Sequence, residues 1–320
     1  MSTSDTLVSI RCADDSRAIQ LDPIGSAVYF DEVVVVDTPL PWPKPVFEHA
    51  HLVAVPGLVE LAAQRGRDLR VLAAVPDAEA ASDHRRVVRH HRAAGEWITG
   101  FERSEYVVPE AELPAMMRSL IADGEPTAAW KVASDVEHDL LLCTQGSHDT
   151  CCGRYGMRLH EKIAARWPRV RVTRVSHTGG HRYAPTGISL PDGRYWGYLD
   201  ADLCDAIIEH SMPVDALAGS LRGSSALSSG YAQAAERAVF ASVGWDWDGR
   251  HRRVSIEAEG PDRATVSVRS TAPDGTDPTH HIVDVEVTRV VPVITCGALG
   301  GVPHTKEDRE YAVTGLRTAD

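Results

Sequence analysis

No apolar run in this chain approaches the roughly 18–20 residues that a membrane-spanning helix needs. The opening stretch, MSTSDTLVSIRCADD, lacks a basic segment followed by an apolar core, so no secretory signal is expected. Cysteine is scarce. Six in 320 residues do not form a dense disulfide framework, and Cys12, Cys204 and Cys296 stand singly. Positive charge is also short. Lys and Arg number 33 against 45 Asp and Glu, a formal charge of −12 with the signs interspersed. A nucleic acid or an anionic membrane needs a concentrated positive field, so neither is an expected partner. The chain also lacks a C-x-x-C pair, a second cofactor motif and a carboxylate pair assignable as acid and base. The expected setting is a reducing cytoplasm, where thiolates stay available to bind metal. The acidic surface suits a partner protein with a basic face.

What the chain does have is apolar patterning. Hydrophobic residues make up 43%, enough for sizeable cores, and the length suggests two domains with a smaller third piece. The predicted boundaries are 1–128, 129–212 and 213–320. In the first region a strand is expected in AVYFDEVVVVD (27–37), then a rigid proline-rich connector, a helix (57–65) and a strand (69–75). Two more strands (85–91 and 97–108) and a helix (about 109–123) follow. His90 and His91 are expected on a solvated strand face. Residues 124–129 read as a linker. The second region repeats the order: a strand ending at Cys143, a loop, a helix (158–167) and a strand (170–175). A hairpin then turns at Pro191-Asp192-Gly193, and a helix closes the unit (200–210). This β-α-β-β-β-α succession is that of a thioredoxin-like core. Ala184-Pro185-Thr186, just before the hairpin, stands where such folds carry a cis-proline. The third region has a helix (230–243) and alternating strands (253–293), an antiparallel β appendage. Cys12 reads as a small semi-buried residue, and Cys296 as a buried one.

Chemistry concentrates between Leu140 and Leu199. Eight residues separate Cys143 from Cys152, and three separate His177 from His181, with Gly179-Gly180 between them. Two neighbouring parallel strands would deliver Cys143 and His177 to one sheet edge. Glycine lets the second loop turn tightly enough to return His181. Four such donors suit a small cluster or a tetrahedral metal. Two cysteines and two histidines form a common zinc set, but its cysteines usually stand closer together. The same donors also hold [2Fe–2S] centres. Ligand types alone leave iron–sulfur and zinc near equal.

The segments CTQGSHDTCCGRYG, HTGGHRYAPTGISLPDG and LRGSSALSSGYAQAAERAV resemble the sucrase/ferredoxin-like family, whose central part is a thioredoxin-like ferredoxin. The resemblance spans most of the chain and is most specific in C-x8-C followed by H-x-G-G-H. It implies an α/β fold, and a [2Fe–2S] cluster on Cys143, Cys152, His177 and His181. The family spacing favours Cys152 over Cys151, with His148 and His160 as non-ligands. Its implied function is electron transfer or redox sensing with a redox partner protein. The alternatives are a thiol redox enzyme using Cys151 or Cys152, and a zinc-stabilised interaction module. The family name also implies sugar hydrolysis, which no residue pair here supports. Two thiolates would balance the 2+ charge of an oxidised cluster, placing its potential above the roughly −400 mV of plant-type ferredoxins. The second imidazole nitrogens would couple proton to electron uptake, so the potential should vary with pH.

Overall fold

A computed structural model of the chain describes residues 11–77, 83–93, 95–123, 126, 128–294 and 306–319. Cys296 and part of the expected linker lie outside them. The lead-in forms helix α1 (Cys12–Ala18), which buries Cys12, Ala13 and Ser16. Strand β1 (Glu32–Asp37) is EVVVVD, buried on both faces along its whole length. Alternation decides which side each valine serves. Val34 and Val36 pack with helix α2 (Val55–Gln64), while Val33 and Val35 enter a different core. Pro56 sits in the first turn of α2, where a missing N–H costs nothing.

Strands β2 (Leu69–Ala74), β3 (His84–His91) and β4 (Glu102–Pro109) follow, then helix α3 (Leu113–Arg118) and the two-residue β5 (Lys131–Val132). β1 runs parallel to β2 and antiparallel to β3, and β3 pairs antiparallel with β4. The second region copies this plan. β6 (His138–Cys143), helix α4 (Met157–Ile163) and β7 (Val170–Val175) make a parallel β-α-β unit. β8 (Gly187–Leu190) and β9 (Arg194–Trp196) add antiparallel strands, and helix α5 (Ala201–Glu209) closes the unit. Asp200 caps α5 by accepting from Leu203 N at 2.8 Å. β10 (Leu221–Ser224) pairs with β9. In each region the first strand lies between the second and third, with the fourth outside, which is the thioredoxin-like strand order. The Ala184-Pro185 bond is cis, as the sequence led us to expect.

Across the ten strands the order is β10-β9-β8-β6-β7-β2-β1-β3-β4-β5. It is symmetric about its centre, where equivalent strands β7 and β2 meet antiparallel through one residue pair, Ala74 and Val175. So narrow a joint lets the halves fold face to face. Between them lies one core, with Val33, Val35 and Leu72 from the first half and Leu141, Val175, Ile188 and Tyr195 from the second. An ionic layer lies alongside it. Arg103 reaches Asp139 at 2.7 Å, and Arg171 reaches Glu105 at 2.9 Å. His90 is 1% exposed and stands 3.1 Å from Asp139, so the solvated reading of this histidine is corrected. The face-to-face fold, which period-two alternation within one strand does not report, is what buries it.

Helix α6 (Gly230–Val243) shares one apolar core with α4 and α5 on the outer face of the second half and packs against β10. Beyond it lie β11 (His251–Glu259), β12 (Arg263–Thr271), β13 (Thr279–Val293) and β14 (Lys306–Thr318), a separate antiparallel sheet in sequence order. Glu236 of α6 is fully buried and accepts from Arg194, Arg252 and Trp247, fastening this sheet to the larger one. None of the described helices is long and apolar enough to cross a membrane.

Candidate metal centre

β6 and β7 are parallel with Cys143 opposite Val175, so the loops that follow them leave the same sheet edge. Cys143 is the last residue of its strand. The loop after it folds back until Cys152 opens a wide helical turn (Cys152–Gly156) leading into α4. Two glycines permit that return. A Cβ on Gly156 would stand 2.1 Å from the Cys143 carbonyl oxygen, and one on Gly153 would stand 2.5 Å from the Gly146 Cα. Donor atoms of Cys143, Cys152 and His177 lie within 4.8 Å of one another. Both thiols are fully buried and His177 is half-buried. Gln145 Oε1 accepts from His177 N at 3.0 Å, and its amide nitrogen donates to Pro43 O at 2.8 Å. The proline-rich segment is therefore a wall of the site as well as a connector.

The two thiols act on each other directly. A hydrogen bond from Cys152 and the nearby His177 imidazole draw the Cys143 thiol well below the ordinary range, against the effect of burial. Cys152, the donor in that pair and also buried, is pushed up. His148 stacks on His177 with ring centroids 3.8 Å apart and planes inclined by 14°. Burial and His177 push its imidazole down to about 4, so it is neutral near pH 7.

His181 stands apart from this trio. Its ring centroid is 5.9 Å from that of His177. Its Nδ1 lies 3.0 Å from Asp149 Oδ2 and 3.1 Å from Cys12 Sγ. Cys12, Asp149 and Cys151 form a second group of close donors, with Cys12 Sγ 3.9 Å from Cys151 Sγ. The structure thus brings three of the four expected ligands together and places the fourth beside them, among residues the sequence did not single out as ligands. Asp149 was hidden in a polar loop. Cys12 carried only a lead-in signal, and it reaches the site because α1 docks against the turn at His181–Tyr183.

The H-x-G-G-H loop is held from outside. Gly179 and Gly180 have φ of +90° and +71°, backbone that other residues adopt only with strain. The Arg222 guanidinium lies flat on Gly180, where a Cβ would stand 2.5 Å from Cζ. Arg222 donates to Gly179 O at 3.0 Å and to Ser26 O at 2.6 Å. Arg182 turns away from the thiols and forms a two-pronged ion pair with Asp308 of β14, which also accepts from Tyr183 OH at 2.7 Å. Ile294, just after β13, packs among Cys12, Cys143, Cys151 and Cys152. The C-terminal sheet therefore braces the site.

Against models of protein families, residues 23–223 match the one described as sucrase/ferredoxin-like. No curated protein and no solved structure matches the chain.

Proposed function

The chain belongs to the sucrase/ferredoxin-like family, and from that premise we propose that it carries a [2Fe–2S] cluster and works in electron transfer or redox sensing. The supporting observation is the convergence of Cys143, Cys152 and His177 within 4.8 Å at one sheet edge, with His181 on the same short loop as His177. The residues fit the group in kind. The thiols are sealed from water, Cys143 favours the thiolate a metal needs, and two imidazoles complete an allowed set. When bound, the cluster supplies reversible one-electron storage.

The chain's own residues do the rest. Cys143 and Cys152 balance the core charge. Asp149 orients the His181 ring, as carboxylates do behind metal-bound histidines. Arg222 fixes the loop carrying both histidines. The cysteines are buried while His177 and His181 are half-buried, so electrons would pass to a partner protein at the histidine edge. Cys151 and Cys152 are fully buried, which argues against the thiol-enzyme alternative. Three donors within 4.8 Å would also suit one tetrahedral ion, which keeps zinc as the second reading.

Anaerobic purification followed by visible absorption and analysis of iron, sulfide and zinc separates the two. The reading requires a coloured protein with two irons and two labile sulfides per chain, and loss of both in Cys143→Ser. A colourless chain with one zinc would sink it.

A further inference from the structure

A cavity of about 520 Å³ opens between the proline-rich segment, α2 and β2. Val46, Phe47, Val59 and Leu69 give it apolar walls. Its polar end includes His148 and His177, the stacked imidazole pair. His177 is thus shared: it lines this cavity and belongs to the group of donors around Cys143 and Cys152.

We propose that this cavity binds a neutral quinone-class ring compound, seated with one carbonyl at the imidazole end. The volume lies within the ~300–1,000 Å³ of small-molecule sites and exceeds what one substituted ring fills. Apolar walls with a few polar groups gathered at one end suit a flat ring with polar atoms at its edge. An imidazole N–H is a donor for a carbonyl oxygen. Charge complementarity argues for a neutral occupant. The lining holds one carboxylate, Glu60, and one guanidinium, Arg70, whose Nη2 already donates to His177 O at 2.9 Å. The one positive and one negative side chain offset each other, so the lining carries no net charge to favour an ion over a neutral ring. The redox meaning of such a ligand rests on the cluster reading; the binding itself does not.

Duroquinone, a benzoquinone with every ring carbon substituted so that cysteine thiols cannot add to it, is the probe. It is titrated calorimetrically into the anaerobically purified full chain, with the visible spectrum followed in parallel. The expected result is saturable one-to-one binding with Kd below about 1 mM, ordinary for a ligand of about twelve heavy atoms. Val59→Trp and Val46→Trp fill the cavity from different walls. Each should weaken binding at least tenfold while leaving the visible spectrum unchanged. Should one variant misfold, the other carries the comparison. No saturable binding by the parent chain, or unchanged affinity in a folded variant, would overturn the proposal. A colourless chain that still binds duroquinone would support the cavity and refute the cluster, so the two readings fail separately.

Discussion

Replacing Arg222 with lysine should loosen the loop that carries His177 and His181. The arginine is 1% exposed and uses three nitrogens at once: Nε to Ser26 Oγ at 3.0 Å, Nη2 to Ser26 O at 2.6 Å, and Nη1 to Gly179 O at 3.0 Å. A lysine ammonium gathers its donors on one atom and cannot span Ser26 and Gly179 together. Two of the three bonds would be lost. Charge-assisted bonds contribute about 1.5–3 kcal/mol each, so R222K should cost about 3–6 kcal/mol. That is a large share of the roughly 5–15 kcal/mol by which domains are usually stable. Urea unfolding gives the stability, and iron per chain reports the site. Gly180→Ala attacks the same contact from the other side, since its methyl would meet the guanidinium at φ +71°. The two substitutions share one contact, so their costs should not add. An R222K protein within about 1 kcal/mol of the parent, with its iron content intact, would refute the clamp.

Other expectations follow from the same geometry. His177→Cys should retain a two-iron centre with a lower potential by spectroelectrochemistry, because a third thiolate adds negative charge; an unchanged potential would exclude His177 as a ligand. Glu236→Gln should lower stability by about 3–5 kcal/mol in thermal or urea unfolding, since it leaves Arg194 and Arg252 buried beside a neutral amide. Burial raises the Asp37 carboxyl to about 6 from an ordinary 3.8. Its favourable contribution is complete below pH ~4 and is lost as pH rises through ~6, a swing of up to about 3 kcal/mol. Asp37→Asn should therefore flatten the pH dependence of stability across that window and gain stability at pH 7; an unaltered slope would contradict the buried carboxylate.

The strand and helix order was legible because local periodicity reports it. EVVVVD, the Asp-Gly hairpin and the apolar face of α5 each declare themselves within a few residues. The doubled thioredoxin-like order emerged the same way. Face-to-face closure of the halves was not legible, because it depends on a single bridge between Ala74 and Val175. His90, read as solvated, was misplaced for that reason. The expected strand from Trp97 begins only at Glu102, since Ile98 instead bridges to Arg252 near the second sheet. β14 escaped notice because KEDREYAVTGLRT is dominated by charge and lies on an exposed outer edge. At the site, C-x8-C and H-x-G-G-H stood out by spacing. Cys12 and Asp149 did not, since tertiary docking alone brings α1 to the turn that holds His181.

The proposed centre is tested most directly at its ligand atoms, because His181 rests beside Asp149 and Cys12 while Cys143, Cys152 and His177 gather together. Pulsed EPR of the anaerobically reduced protein, with nitrogen hyperfine couplings resolved, reads this directly. The expected result is a two-iron signal coupled to two imidazole nitrogens, one of which disappears in His181→Cys. A signal coupled to one nitrogen and unaffected by that substitution would remove His181 from the ligand set. The absence of any iron signal, with zinc in its place, would contradict the cluster itself.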